Sequence, residues 1–277
     1  MSKVIKQEHE WLLNIVNEQE IDYIISDNRY GLYHPKIASV FMTHQLEVQS
    51  GINDGVDHWL RSIHYKYINR FRECWIVDVE GTPNLSGRLA HPFQLPDTAK
   101  YIGLLSQLSD TDYQKAERHL LILLSGPEPQ RSLLSDILWA QLQGYKEPVV
   151  FVEGSSTVKR RQNISSNISY HMQLTKDALL LLLQTASLVI CRSGYSTLMD
   201  LVALEKKAIV IPTPGQTEQE YLAKHLHEEG VFYAATQKGF NLASSLSDSF
   251  AFPFKKLALT DSFNRYKPVM QQELDCL

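Results

Sequence analysis

The chain has 277 residues, enough for two domains of ordinary size or one large one. Apolar residues make up 44% and charged residues 21%, the balance of a soluble protein with a full core, and a formal net charge of −4 removes the electrostatic reason to expect a nucleic-acid partner. Cys74, Cys191 and Cys276 follow no disulfide or zinc spacing, no apolar run reaches about 18 residues, and no signal-peptide core opens the chain, so the sequence reads as a reduced, cytoplasmic protein.

In chain order, an amphipathic helix is expected over residues 6–19 (KQEHEWLLNIVNEQ), then strands at 21–26 (IDYIIS) and 38–43 (ASVFMT). A long amphipathic helix over 55–73 separates these from strands at 75–79 (WIVDV) and 101–106 (YIGLLS). The polar stretch 106–117 (SQLSDTDYQKAE) reads as a boundary between a first domain, 1–108, and a second, 117–260. Strands follow at 119–125, 148–153, 167–172, 188–191, 208–213 and 231–235, with helices at 131–143, 176–185, 197–206 and 217–229 between most of them. The apolar run 178–190 (ALLLLLQTASLVI) is interrupted by Gln184, Thr185 and Ser187 and reads as a buried helix end feeding a buried strand. A last helix is expected within 261–277, returning to the first domain. Such alternation predicts an α/β fold of two Rossmann-like domains with mainly parallel sheets. The first domain shows only four strands and opens on a helix rather than on a βαβ unit, so it reads as incomplete.

Ligands of parallel sheets sit at the carboxyl ends of strands, so the strand-to-helix loops are the candidates for chemistry. In CRSGYSTLMD (191–200), Ser193 and Gly194 form a turn before a helix that Ser196 or Thr197 can cap. This is either an ordinary capped turn or a diphosphate site built on free amides and the positive end of the helix dipole. Arg192 adds a cation just before it, or makes a surface ion pair. Asp200, three residues after Thr197 and on nearly the same face, can accept hydrogen bonds from both hydroxyls of a ribose, or serve as a first-turn acid favoured by the dipole. PTPGQTEQE (212–220) brings Gln216, Gln219 and Glu220, groups of the kind that read sugar hydroxyls, in what is otherwise a capped helix start. SGPEPQR (125–131) carries Ser125 and Gly126, where a bare backbone can approach a ligand, and lacks both the Gly-Lys-Ser/Thr of a Walker loop and the three-glycine dinucleotide fingerprint. At the ends of the first two strands, Asp27, Asn28, Arg29 and His44 form a candidate second wall. Asp110 and Asp112 (DTD) read as helix-capping residues rather than metal ligands, and Lys159, Arg160 and Arg161 as a solvated loop. No metal site is implied.

The stretch CRSGYSTLMDLVALEKKAIVIPTPGQTEQEYLAKHL (191–226) resembles the C-terminal domain of family 28 glycosyltransferases, and the likeness extends over about 121–235. In that family a Cys-Arg-Ser-Gly turn precedes a helix whose acidic residue binds the ribose of UDP, and a later Pro-containing loop ends in a pair of glutamines that contact the donor sugar. The resemblance thus assigns the diphosphate turn to Ser193 and Gly194, the ribose acid to Asp200 where the family usually has Glu, and the first of the paired glutamines to Gln219, with Glu220 replacing the second. Ser125 and Gly126 occupy the place of a Gly-rich loop, and His44 lies near where the family has an acceptor-side His-containing loop. The family's N-terminal Gly-rich loop, which carries its proposed catalytic His, has no counterpart in this sequence. The resemblance implies a GT-B fold cut short at its first domain. It implies a metal-independent, cofactor-free transferase that moves a hexosyl or N-acetylhexosaminyl group from a UDP-sugar to a saccharide or lipid-linked acceptor, at the inner face of a membrane with peripheral association. A non-catalytic nucleotide-sugar-binding fragment and a UDP-sugar epimerase are the alternatives.

Overall fold

A computed structural model of the chain describes residues 2–47, 54–106, 119–155 and 165–275. Asp110, Asp112, Lys159, Arg160, Arg161, Cys276 and nearly all of the polar stretch 106–117 lie outside the described residues. The chain divides into two units, Met1–Leu105 together with Leu259–Leu277, and Ser106–Ala258, and each is an α/β unit built on a parallel sheet.

The first unit opens with α1 (Ser2–Glu18), then β1 (Tyr23–Asp27), β2 (Ala38–Thr43), α2 (Asp54–Ile68), β3 (Glu73–Ile76) and β4 (Ala99–Tyr101), and its four described strands pair in sequence order. Val40 and Phe41 of β2 are both fully buried, as an inner parallel strand covered on both faces requires, whereas β1 alternates buried Ile24 and Ser26 with exposed Ile25 and Asp27. Three of the boundaries that shift have a direct structural cause. The helix expected to reach residue 73 stops at Ile68, because the Arg72 amide already donates to Ser39 O at 2.9 Å alongside β2. The strand expected over 75–79 ends at Ile76. Beyond it the buried Asp78 carboxylate accepts from the amides of Val79, Leu85 and Ser86 and from Ser86 Oγ, folding the apolar residues that follow into a loop. The strand expected over 101–106 is only Ala99–Tyr101, since Gly103 lies at φ +84 and a Cβ there would collide with the carbonyl oxygen of Ser262.

The second unit runs β5 (His119–Leu123), α3 (Gln130–Leu142), β6 (Val149–Val152), β7 (Ile168–His171), α4 (Lys176–Thr185), β8 (Ala186–Cys191), α5 (Tyr195–Ala203), β9 (Ala208–Val210), α6 (Thr217–Glu228), β10 (Tyr233–Ala234) and α7 (Leu242–Phe250). Its sheet order is β10-β9-β8-β5-β6-β7, all parallel, so consecutive strands progress outward in one direction from β5 and in the other from β8. Leu120, Ile122, Phe151, Ile190 and Ile209 from four of these strands build one core with Leu134 and Leu138 of α3. Helix α7, absent from the sequence expectations, is started by Asn241, whose side chain accepts from the Ser244 amide at 2.9 Å.

After α7 the chain returns to the first unit and ends in α8 (Tyr266–Leu274). Glu273 of α8 is only 5% exposed. It accepts from Tyr23 Oη at 2.9 Å and stands 3.7 Å from Arg72 and 3.9 Å from Lys100, a clasp joining this helix to β1, β4 and the residue before β3.

Candidate functional site

The order reverses between β5 and β8, and their ends are level, Leu123 pairing with Cys191. A crevice outside the carboxyl ends of two strands that send their connections in opposite directions is where open α/β sheets bind ligands. Beyond β5 the chain passes through Leu124, Ser125 and Gly126; beyond β8 it passes through Arg192, Ser193 and Gly194. A Cβ built on Gly126 or on Gly194 would meet no atom within 4 Å, so bare backbone faces open space on both sides of the switch point. Gly126, at φ +99, adopts a conformation that side chains disfavour; Gly194 does not, at φ −72 and ψ 136.

The two helices that begin here differ. At α3 the Glu128 carboxylate accepts from the Ser132 amide at 3.2 Å and from Ser132 Oγ at 2.9 Å, so this N-terminus already holds an anion of its own. At α5 the N-cap is Gly194, and no side chain caps the helix. The expectation that Ser196 or Thr197 caps it is corrected: the helix starts at Tyr195, which places both inside the first turn. The earliest amides of a helix have no intrahelical acceptor; at α3 the Glu128 side chain takes one of them up, and at α5 the N-cap residue has no side chain to do so.

Arg192 is 1% exposed. Its Nη1 donates to Ile211 O at 3.3 Å and Pro212 O at 3.1 Å, and its Nη2 to Gln130 O and Gln237 Oε1, both at 2.7 Å. Among the described residues no carboxylate pairs with it, so the surface ion pair considered from sequence is not formed. Burial lowers the guanidinium to about 10, which leaves it charged at neutral pH. The side chain ties α3, the segment after β9 and the loop after β10 together, and among the described residues its positive charge is met by carbonyl and amide oxygens. Both of its Nη atoms are turned toward protein acceptors.

Ser193 is likewise committed inward, its hydroxyl donating to Gln219 O at 2.8 Å. Gln219 Oε1 accepts from the Thr213 amide and Glu220 Oε1 from the Gly215 amide, each at 2.9 Å, so both side chains brace the loop that carries them and keep Gln219 Nε2 and Glu220 Oε2 for other partners. Gln216 is the N-cap of α6 without a side-chain capping bond. Asp200 and Thr197 are half-buried on α5, three residues apart. Burial raises the Asp200 carboxyl above its ordinary value, opposed by a 2.7 Å hydrogen bond from Ser106 Oγ and by the positive charge of Lys176. Ser106, Gln130 and Gln237 were not singled out from sequence; 94 positions separate Ser106 from Asp200, and no local pattern announces the pair. Cys191 is fully buried with its thiol pushed up to about 12, so it offers no nucleophile.

In the first unit, Asp27 pairs in register with Met42, which brings Asp27 and Asn28 to the same sheet edge as Thr43 and His44. Asn28, at φ +56, donates from its side chain to Asp27 Oδ1. Arg29 is drawn away from this edge by Glu8 of α1, to which its Nε and Nη2 both donate at 3.1 Å. Asp78, at the end of β3, is a fully buried organiser of the neighbouring loop that sequence reading passed over inside an apolar run.

No described helix is long and apolar enough to cross a membrane, and no group of three or more His, Cys, Asp or Glu among the described residues could hold a metal ion. Residues 131–267 match the glycosyltransferase family 28 C-terminal domain. Over 90 residues, 31% of this chain, the sequence is 40% identical to the UDP-N-acetylglucosamine--N-acetylmuramyl-(pentapeptide) pyrophosphoryl-undecaprenol N-acetylglucosamine transferase of Desulforudis audaxviator. A second protein of the same name, from Methylobacterium radiotolerans, is 38% identical over 80 residues, and each match spans 22% of the relative's length. Among solved structures, the glycotransferase of kitacinnamycin aligns over 98% of this chain and 81% of its own, with a TM-score of 0.67 at 12% identity. At such identity the likeness speaks for the fold alone. The chain is an α/β protein of two Rossmann-like units with the GT-B fold, and its residues 131–267 are a glycosyltransferase family 28 C-terminal domain.

Proposed function

We propose that the chain transfers a hexosyl or N-acetylhexosaminyl group from a UDP-sugar to an acceptor hydroxyl, without a metal ion. The observation that carries this reading is the switch point of the sheet, where two bare glycines follow neighbouring strands and one of them, Gly194, opens the helix that carries the half-buried Asp200. The diphosphate would rest on the amides at Ser193, Gly194 and the first turn of α5, with Gly126 opposite and the buried Arg192 charge behind. Asp200 would accept from the ribose hydroxyls, and Gln216, Gln219 Nε2 and Glu220 Oε2 would meet the sugar. In the reaction the acceptor oxygen bonds to the anomeric carbon as the bond from that carbon to the diphosphate breaks, and the hydroxyl proton passes to a base. Negative charge then grows on the departing diphosphate, where the dipole of α5 and the field of Arg192 are already oriented to stabilise it. The name of the curated relatives supports an N-acetylhexosaminyl donor and a lipid-linked acceptor, and hence work at a membrane face. Asp27, Asn28 and His44, at one sheet edge of the first unit, are the acceptor-side candidates.

Gly194→Ala tests this reading cleanly. The backbone there accepts alanine and the new methyl meets no protein atom, so folding should cost less than about 1 kcal/mol. A diphosphate lying over Gly194 would collide with that methyl, and calorimetry should show UDP affinity falling by about tenfold or more. Asp200→Ala removes a carboxyl acceptor, a loss worth about 1.5–3 kcal/mol, so UDP binding should weaken by one to two decades. Unchanged affinity in both folded variants would sink the assignment.

A further inference from the structure

Asp200 has one protein hydrogen-bond donor among the described residues, Ser106 Oγ at 2.7 Å from Oδ1. Ser106 opens the second unit, immediately after the chain leaves the first, while Asp200 lies on the helix whose N-terminus faces the switch-point crevice. A carboxylate offers about four acceptor positions, so the serine takes one and leaves enough for both hydroxyls of a ribose.

We propose that Ser106 is a positioning residue of the donor site, holding the Asp200 carboxylate in the orientation that receives the ribose hydroxyls. The inference rests on the donor-site reading given above. Two physical consequences of the bond support it. The last torsion of an aspartate is broad and roughly two-fold, so a carboxylate with no fixed partner turns freely, and a directed bond to one oxygen fixes where the other points. Burial also favours the protonated acid, which would donate from one oxygen and accept less well. The Ser106 hydroxyl opposes protonation, with Lys176 at the start of α4 as the other group acting in that direction. Ser106 therefore preserves both the aim and the charge of the acceptor.

The experiment is UDP affinity by calorimetry across acid to neutral pH, in the full chain and in its Ser106→Ala, Ser106→Thr and Asp200→Asn variants. The terminal phosphate of UDP titrates alike in all four, so the differences between profiles are read. Ser106→Ala should bind UDP about three- to tenfold more weakly at neutral pH, and its acid-side loss should begin at higher pH than in the parent. Ser106→Thr, which keeps the hydroxyl, should restore both features. Asp200→Asn should bind weakly throughout. Parent-like affinity in Asp200→Asn would overturn the donor-site reading and this inference together. Weak binding by Asp200→Asn beside a Ser106→Ala profile that superimposes on the parent, or that is lowered equally at every pH, would overturn the role of Ser106 and leave the donor site standing.

Discussion

Replacing Arg192 by leucine separates a structural cation from a ligand-binding one. The substitution roughly keeps the apolar volume but removes four hydrogen bonds, three of them to the backbone oxygens of Gln130, Ile211 and Pro212 and one to Gln237 Oε1. Buried ion pairs can sometimes be exchanged for apolar groups at little cost, because both partners are replaced together. That route is closed here, since backbone carbonyls remain whatever side chain stands at 192. Each buried acceptor left unsatisfied costs about 1–3 kcal/mol, and water entering from the crevice can relieve some of them, so the net loss should be about 3–5 kcal/mol. At about 2–4 °C per kcal/mol, the midpoint of the transition that melts the second unit should fall by about 6–20 °C in a calorimetric scan. UDP affinity measured well below that midpoint should fall less than in Asp200→Ala, because both Nη atoms of Arg192 are already engaged by protein acceptors. If Arg192→Leu melts within about 2 °C of the parent yet binds UDP a hundredfold more weakly, the guanidinium serves the ligand and not the fold, and the reasoning fails.

Glycine positions give a paired expectation. Gly126→Ala should cost about 1–2 kcal/mol from its φ of +99 alone, since its methyl meets nothing. Gly154→Ala, at φ +71, would also drive a methyl into the carbonyl oxygen of Leu124 and should cost clearly more; urea unfolding that ranks the two the other way would refute this. In the first unit, the Tyr23 phenol is held well above its ordinary range by burial, by its hydrogen bond to Glu273 and by the charge of that carboxylate. Glu273→Gln should therefore bring Tyr23 to titrate at lower pH, though still above an exposed tyrosine, as followed by phenolate absorbance; an unmoved titration would mean that burial alone sets it.

The strands of the second unit were legible because most are short apolar runs closed within a few residues by Gly, Pro or Ser, and β5, β6 and β7 fall within two residues of their expected spans. In the first unit the same signal overran. Val77 and Val79 are as apolar as strand residues and just as buried, but Asp78 gathers the amides that follow it and the ladder stops. The start of α5 was misplaced for a related reason: Ser196 and Thr197 are good capping residues, and only the backbone shows that Gly194 takes the position. The turns at Ser125–Gly126 and Ser193–Gly194 could be read because a glycine between a strand and a helix is a local signal. Where the Arg192 guanidinium points, and what touches Asp200, depend on Gln237 and Ser106, tens of positions away, and no periodicity carries that information.

The return of residues 259–277 to the first unit makes the second unit, in sequence, an insertion within the first. Residues 106–258 form one uninterrupted stretch that can complete its sheet as soon as it has left the ribosome. The first unit emerges earlier, yet it must wait with Tyr23, Arg72 and Lys100 unclasped until Glu273, 250 positions after Tyr23, arrives to join them. Order of synthesis and order of completion are therefore reversed, against the usual rule that the N-terminal domain folds first.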